Sequence, residues 1–342
     1  MTRPLADPTS EPSAGQQWPG VSVVMPVLDE ERHLETAVRR VLAQEYAGPL
    51  EVVLAVAPSK DGTAAVAARL TAEDPRVRTV DNASGRTASG LNAAIAATTH
   101  PVVVRVDGHS VLPRGYIRRA VEVLQQTAAD NVGGIMDPRG VTPFEQAVAR
   151  AMSSRLGIGG ARFHVGGEPG PAETVYLGVF RRQVLERLGG FDERFTRAQD
   201  WELNHRIRAA GGTVWFSPDL RVSYRPRSSP RALARQFYRT GQWRREVLRR
   251  YPDTASPRYL AAPLTVVLVT VGSALGLVAA AGGPRWAVVG LVAPLGYGAL
   301  VAGGSVVAGQ GLPARARAWL PLVLSTMHLS WGLGFLRGAG GG

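Results

Sequence analysis

The sequence predicts an α/β domain built on a parallel sheet, followed by a bundle of about three transmembrane helices. Three observations carry this expectation. Short β-branched runs alternate with helical patterns through the first 258 residues. Composition turns sharply apolar near residue 259, and the three long stretches beyond it contain no internal Asp, Glu, Lys or Arg. The chain has 342 residues, 45% of them hydrophobic, enough for one sizeable globular domain and a second unit.

Taken in order, residues 1–20 are rich in Pro, Ser, Gly and Gln and lack the apolar core of a signal peptide, which predicts a flexible, non-exported leader. "VSVVMPV" (21–27), "EVVLAVA" (51–57), "VRTVDN" (77–82) and "PVVVRVD" (101–107) read as strands. "DEERHLETAVRRVLAQ", "GTAAVAARLTA" and "RTASGLNAAIAAT" read as the crossover helices between them. Ligands of such sheets bind beyond the carboxyl ends of the strands, so Asp29, Asp61, Asp81 and Asp107 are candidates for one shared cleft.

The segment 230–258 combines arginines with Phe237, Tyr238 and Trp243, a composition suited to an amphipathic helix resting on anionic headgroups. Its charges also fit a solvated face or a topology determinant. Residues 259–337 then hold the apolar stretches, about 260–282, 286–308 and 319–336, each near the ~20 residues that span hydrocarbon. A buried Gly- and Ala-rich helical domain is the alternative. Arg244, Arg245, Arg249, Arg250 and Arg258 precede the first stretch, Arg315 and Arg317 precede the third, and the first hairpin offers only Arg285. The positive-inside rule then puts the front domain in the cytoplasm and the C-terminus outside.

With 39 basic against 27 acidic residues the net charge is +12, which favours an anionic partner: nucleic acid, a phosphate-bearing substrate or an anionic membrane. The direct junction of the basic, aromatic segment to a membrane span argues against nucleic acid. There is no cysteine, which excludes disulfides, a thiolate nucleophile and Cys-ligated zinc.

Two spots offer chemistry. In "VVVRVDGHS", residues two apart on an extended chain point the same way, so Asp107 and His109 could hold one divalent cation, with phosphate and water completing its shell. The alternative is an Asx turn at Asp107 beside a surface histidine. In "RAQDWELNHR", a helix from Gln199 puts Asp200 on the face of Leu203, Asn204 and Ile207, pointing inward. Glu202 and Arg206 are then i,i+4 partners on another face, so the two acids around Trp201 have separate jobs. A simple N-cap is the alternative for Asp200.

From about Val21 to Arg250 the chain resembles the family 2 glycosyltransferases, whose catalytic domain has the GT-A fold, a Rossmann-like nucleotide-sugar-binding architecture. "VMPVLDEERHLETAV" is similar to their opening strand and helix, "SKDGT" to the end of their Ser-Thr-Asp-Gly-Thr loop, and "VDGHS" stands at their Asp-x-Asp. "YLGVFRRQVLERLGGFDERF" and "QDWELNHRIRAAGG" are similar to their acceptor-side segment and Glu-Asp motif, and "QFYRT" to their Gln-x-x-Arg-Trp. The succinoglycan, exopolysaccharide-type branch is the most similar. The resemblance implies a GT-A domain over 21–229 that binds a nucleotide sugar through Pro26, Asp29, Glu30, Asp61, Asp81, Arg86 and Asp107. It implies Mn²⁺ or Mg²⁺ on Asp107 and His109, Asp200 as the general base of an inverting transfer, and Gln236 and Arg239 on the acceptor and diphosphate side.

Four departures qualify it. Ala57 stands where an acid usually contacts the base, so base recognition differs or comes from Asp29, Asp61 or Asp81. His109 replaces the second Asp of the metal motif, which suits Mn²⁺. Gln199 replaces the Glu beside Asp200, and Thr240 replaces a Trp, which argues for single-sugar transfer over processive synthesis. Arg86 could also be an ordinary loop arginine, and Asn92 simply solvated. The expected activity is transfer of one sugar, from UDP-glucose or a close relative, to a polyprenyl-diphosphate-linked acceptor at the plasma membrane. A polyprenyl-phosphate sugar synthase and a non-catalytic nucleotide-sensing membrane protein are the alternatives.

Overall fold

A computed structural model describes residues 18–338. Most of the expected leader, residues 1–17, lies outside the described residues.

The chain runs β1 (Val21–Val27), α1 (Leu34–Leu42), β2 (Leu50–Val56), α2 (Thr63–Glu73), β3 (Val77–Asp81), α3 (Thr87–Ala96), β4 (Val102–Arg105), α4 (Tyr116–Thr127) and β5 (Asn131–Pro138). Three short helices follow, α5 (Pro143–Met152), α6 (Arg155–Ile158) and α7 (Arg162–Val165). The domain closes with β6 (Gly170–Pro171), β7 (Tyr176–Arg181), α8 (Arg182–Leu188), α9 (Gln199–Ala209) and β8 (Val214–Tyr224). The strands form one sheet in the order β3-β2-β1-β4-β7-β5-β8-β6.

The first four strands are parallel, as expected. The sheet as a whole is not. β7 lies antiparallel between β4 and β5, and β6 is antiparallel to β8. A parallel neighbour needs a packed crossover, and the loop-rich stretch from 139 to 175 imposes none, so β7 can enter in the opposite sense.

Alternation along each strand builds two cores. Val23, Met25 and Leu54 face α1, α2 and α4, while Val24, Val53 and Val103 face α3, α8 and α9. Each fully buried Leu or Val side chain contributes about 1.5–3 kcal/mol by leaving water. The loops at the carboxyl ends of β1 to β4 are thereby fixed over one edge of the sheet.

The remainder is helical: α10 (Pro230–Arg250), α11 (Ala261–Ala280), α12 (Val292–Ala308), α13 (Ala314–Arg317) and α14 (Leu320–Arg337). Three helical segments, Pro257–Ala280, Arg285–Ala308 and Ala314–Arg337, are long and apolar enough to cross a membrane. In the 230–258 segment, expected as an interfacial helix, α10 packs along α14. Gly241 meets the Trp331 carbonyl and Gly334 meets that of Tyr238, close approaches that a Cβ would block. Phe144 and Val148 of α5 share a cluster with Leu233 and Phe237 of α10 and Leu324 and Met327 of α14, so the sheet domain is seated on the apolar bundle.

Candidate active site

Arg105, the last residue of β4, organises the cleft. Its side chain is 6% exposed, so its charge is stripped of most water and must be answered by carboxylates. Asp107 accepts from Nε at 3.2 Å and Nη2 at 2.9 Å. Asp200 accepts from Nη1 on the other side. One guanidinium therefore joins the end of a donor-side strand to the first turn of α9. Arg105 was not among the residues singled out from sequence, although a lone arginine in the apolar run "VVVRV" was a signal that a charge is buried there.

The pair two residues apart that shares a side is thus Arg105 and Asp107. The chain leaves extended geometry after Arg105, and His109 sits in the following turn, where its Nδ1 lies 2.7 Å from Glu30 Oε1. That hydrogen bond, and the nearby Asp107, hold the imidazole pKa above its ordinary value despite burial. Burial would raise the Asp107 pKa, but Arg105 and His109 outweigh it and hold the carboxyl below its ordinary value. No Asx turn forms, since the Asp107 carboxylate bonds to Arg105 alone among the described residues.

No group of three or more His, Asp or Glu gathers to hold a cation among the described residues. Asp107 Oδ2 and His109 Nε2 nevertheless have no hydrogen-bond partner there, which leaves one carboxylate oxygen and one imidazole nitrogen unengaged two residues apart in sequence. That donor pair fits a Mn²⁺-type ion completed by phosphate and water.

Asp200 is not a helix cap; Ala198 holds that position, in the left-handed conformation at φ 59°. Leu203, Asn204 and Ile207 are buried on the expected face, and the Asp200 side chain is 28% exposed at the cleft. Burial pushes its pKa up, Arg105 pulls it down, Asp107 pushes it up again, and the net is upward. Asp29 is also left-handed, at φ 55°, so strained backbone sits at both the donor and the acceptor walls.

The expected ion pair of Glu202 with Arg206 forms, at 2.6 and 2.8 Å, and Glu202 is fully buried in it. Tyr251 donates to Glu202 Oε1 at 2.8 Å, and Arg206 donates to the carbonyls of Leu188 and Gly190. The pair fastens α9 to the loop before it and to the end of α10.

The other expected residues divide in two. Asp61 spends both oxygens on the loops: Oδ2 accepts from Glu31 N and Oδ1 from Thr63 N and Oγ1. Asp29 Oδ1 accepts from Lys60 N at 2.7 Å, and Pro26 pairs with Ala55 in the sheet. Asp81 is exposed at the end of β3 with no partner among the described residues, and Arg86 is exposed at the start of α3. Asn92 is not solvated: it donates to the Phe191 carbonyl and accepts from Phe191 N, clamping α3 to the acceptor-side segment.

Gln236 lies across the cleft, accepting from Arg227 and donating to the Tyr224 hydroxyl. Burial lowers the pKa of Arg197, and the charges of Arg239 and Arg227 lower it further. Arg197, the first residue of "RAQDWELNHR", was also not among the residues singled out from sequence. A cavity of about 360 Å³ opens beside it, between Thr87, Gln199 and Thr240.

The geometry is that of one buried arginine joining the carboxylate that follows β4 to a carboxylate with a raised pKa in the first turn of α9. The family described as "Glycosyltransferase like family 2" matches residues 19–242. The chain is 31% identical to the succinoglycan biosynthesis protein ExoA of Rhizobium meliloti over 92% of its own length and 93% of that protein's. It is 21% identical, over 63% of its length and 70% of the other, to a Methanococcus voltae transferase named for a dolichyl N-acetylglucosaminyl phosphate substrate. Among solved structures, a Pyrobaculum calidifontis mannosyltransferase in complex with GDP-Man and Mn²⁺ shares the fold, with a TM-score of 0.61, 23% identity, and coverage of 94% of this chain and 87% of that one. The chain belongs to glycosyltransferase family 2: it is a membrane glycosyltransferase with a GT-A catalytic domain.

Proposed function

We propose that the enzyme moves one hexose from a nucleoside diphosphate sugar, UDP-glucose or a close relative, to a polyprenyl-diphosphate-linked saccharide at the cytoplasmic leaflet. The single observation that carries this reading is the Asp107–Arg105–Asp200 bridge. It sets a leaving-group site and a base on the two sides of one buried cation. Residues 21–229 form the catalytic domain in this reading, 230–258 join it to the anchor, and 259–337 hold it in the membrane.

Arg105 occupies Asp200 through Oδ1, so Oδ2 is the oxygen that takes the proton of the acceptor hydroxyl. As that proton leaves, the acceptor oxygen attacks C1 of the donor from the face opposite the diphosphate, the C1–O bond breaks, and the anomeric centre inverts. A divalent cation held by Asp107 and His109 supplies Lewis-acid neutralisation of the diphosphate. Glu30 orients His109 for that role, its carboxylate accepting from Nδ1–H so that Nε2 is left for the cation.

On the donor wall, Pro26 and Asp29 shape the base and ribose pocket, Asp81 offers an unengaged acceptor to the base, and Arg86 reaches the nucleotide. Asp61 acts by latching these loops. On the acceptor wall, Gln236 and Arg239, with Arg197 and Arg227, face the diphosphate and the incoming hydroxyl. The lipid acceptor is supported by the seating of α10 against an apolar helix, which keeps the cleft close to the membrane, and by the dolichyl-linked substrate in the name of one relative.

The test uses membranes holding the full-length protein, radiolabelled UDP- and GDP-sugars, and Mn²⁺ or Mg²⁺. Label should enter the organic-extractable lipid fraction only with intact Asp200 and metal, and Asp200→Asn should slow transfer about 10²–10⁴-fold. Undiminished labelling by Asp200→Asn would remove it as the base. Labelling of bare polyprenyl phosphate in place of a lipid-linked saccharide would make the enzyme a polyprenyl-phosphate sugar synthase.

A further inference from the structure

We propose that a cavity on the reverse side of α9 is a lipid-phosphate site at the membrane interface. This goes beyond the transfer reaction and does not depend on which donor or acceptor the enzyme uses. The cavity, about 510 Å³, lies between α9 and the connector from α10 to the first apolar segment. Trp201, His205 and Arg208 form one wall, and Ser256, Arg258 and Tyr259 the other.

The charges in it are unequally satisfied. Arg258 holds Glu173 at 2.9 Å, and Asp253 stands 3.9 Å from His205. Arg208 Nε, in its lining, and Arg244 Nη1, outside the lining on a guanidinium that sits over the lining rings of Trp201 and Tyr259, are buried and have no hydrogen-bond partner among the described residues. A buried donor left without an acceptor is costly, and a guanidinium more so, which makes these two nitrogens the strongest indication of a missing anion. Arg244 is held by two rings of the cavity wall: its guanidinium carbon lies over the Trp201 ring at 5.1 Å and over that of Tyr259 at 4.4 Å. A phosphate supplies several acceptor oxygens with the charge that two arginines require.

The position selects a lipid phosphate. Arg258 and Tyr259 open the apolar segment Pro257–Ala280, and Leu260 and Leu264, just beyond, are exposed. Aromatic and arginine side chains at such a level meet headgroups, and the exposed leucines continue the surface where acyl or prenyl chains run. The occupied site would brace Trp201, the immediate neighbour of Asp200.

Native mass spectrometry of the detergent-solubilised full chain tests this with phosphatidylglycerol, farnesyl diphosphate and inorganic pyrophosphate as probes. The wild type should retain one lipid, and Arg208→Gln should weaken retention at least tenfold. Arg231→Gln, on the exposed start of α10, should leave it unchanged. Because Arg208 Nε has no partner to lose, the lipid-free thermal stability of Arg208→Gln should equal or exceed that of the wild type. Tyr259→Leu, which keeps apolar bulk and removes the ring under Arg244, should also weaken retention.

A tenfold preference for farnesyl diphosphate would identify the headgroup of a prenyl-linked lipid, and comparable binding of phosphatidylglycerol would identify bulk phospholipid; either supports the site. Equal retention by wild type and Arg208→Gln, equal loss in Arg208→Gln and Arg231→Gln, or pyrophosphate binding as tightly as the lipids would overturn it. Asp200→Asn should not alter retention, so failure here is separable from failure of the catalytic assignment.

Discussion

The donor and acceptor walls of the cleft are held by different kinds of contact. On the donor wall, neighbouring loops latch one another through short polar side chains and backbone N–H groups. Glu30 N donates to Thr63 Oγ1 at 2.8 Å, Glu31 N to Asp61, and Gly62 N back to Glu31. On the acceptor wall the fasteners are side chains that join segments farther apart in the chain. Glu202 meets Tyr251, Asn92 meets Phe191, and Arg105 meets Asp200. Under the proposed function, the difference separates a pre-formed nucleotide pocket from an acceptor side whose geometry depends on α10 and the anchor.

Arg105→Met breaks the buried ion-paired contact between the walls and should have the largest effect. It leaves Asp107 and Asp200 near each other without a counter-charge, so transfer should fall to background. Unfolding free energy should drop by about 3 kcal/mol, as for loss of one partner of a buried ion pair. Denaturant unfolding together with transfer assays checks both; a variant retaining more than a hundredth of wild-type activity would show that the bridge is dispensable.

Asp61→Ala tests the donor wall alone. If its role is to latch loops around the nucleotide, KM for the sugar nucleotide should rise about tenfold while kcat changes little, a shift of near 1.4 kcal/mol in binding. Tyr251→Phe tests the acceptor wall more gently. It removes one hydrogen bond to a buried carboxylate, about 1.5–3 kcal/mol for a charged acceptor, and Arg206 remains to hold Glu202. A few-fold loss in kcat with unchanged donor KM is expected. A change in donor KM would contradict the division between the walls.

The same division explains what the sequence revealed. The strands β1 to β4 are regular and short-looped, and their expected limits lie within two residues of the observed ones. The strands β5, β7 and β8 were not foreseen, because Gly133, Gly134, Gly178 and Pro218 interrupt their alternation and β5 changes register against both neighbours. Helical periodicity gave the right face for Asp200. It could place Glu202 on a different face but could not say that Tyr251, 49 residues later, covers it. Asp107 and His109 stood out as metal-type residues, whereas Arg105 looked like an interruption of a strand. Its meaning lies in a partner 95 residues away.

The smallest effect expected is a displacement of the acid limb of the pH profile, and it bears on how the two walls share charge. Burial raises the Asp200 pKa, and Asp107 adds to the rise, while Arg105 opposes them. The base works only when ionised, so kcat/KM should begin to fall, on acidification, above the pH at which an ordinary aspartate protonates. Stability should move the other way at this residue. A folded-state pKa above the unfolded value means that the fold favours the protonated form, so its contribution is fully present below the unfolded pKa and is lost as pH rises through the folded one. Activity and stability therefore titrate in opposite directions at Asp200, and Asp200→Asn should abolish both changes. Profiles of kcat/KM and of unfolding free energy, for wild type and Asp200→Asn, make the comparison. An acid limb at or below the ordinary aspartate range would mean that Arg105 dominates the site, and that the carboxylate is bound too firmly to serve as the base.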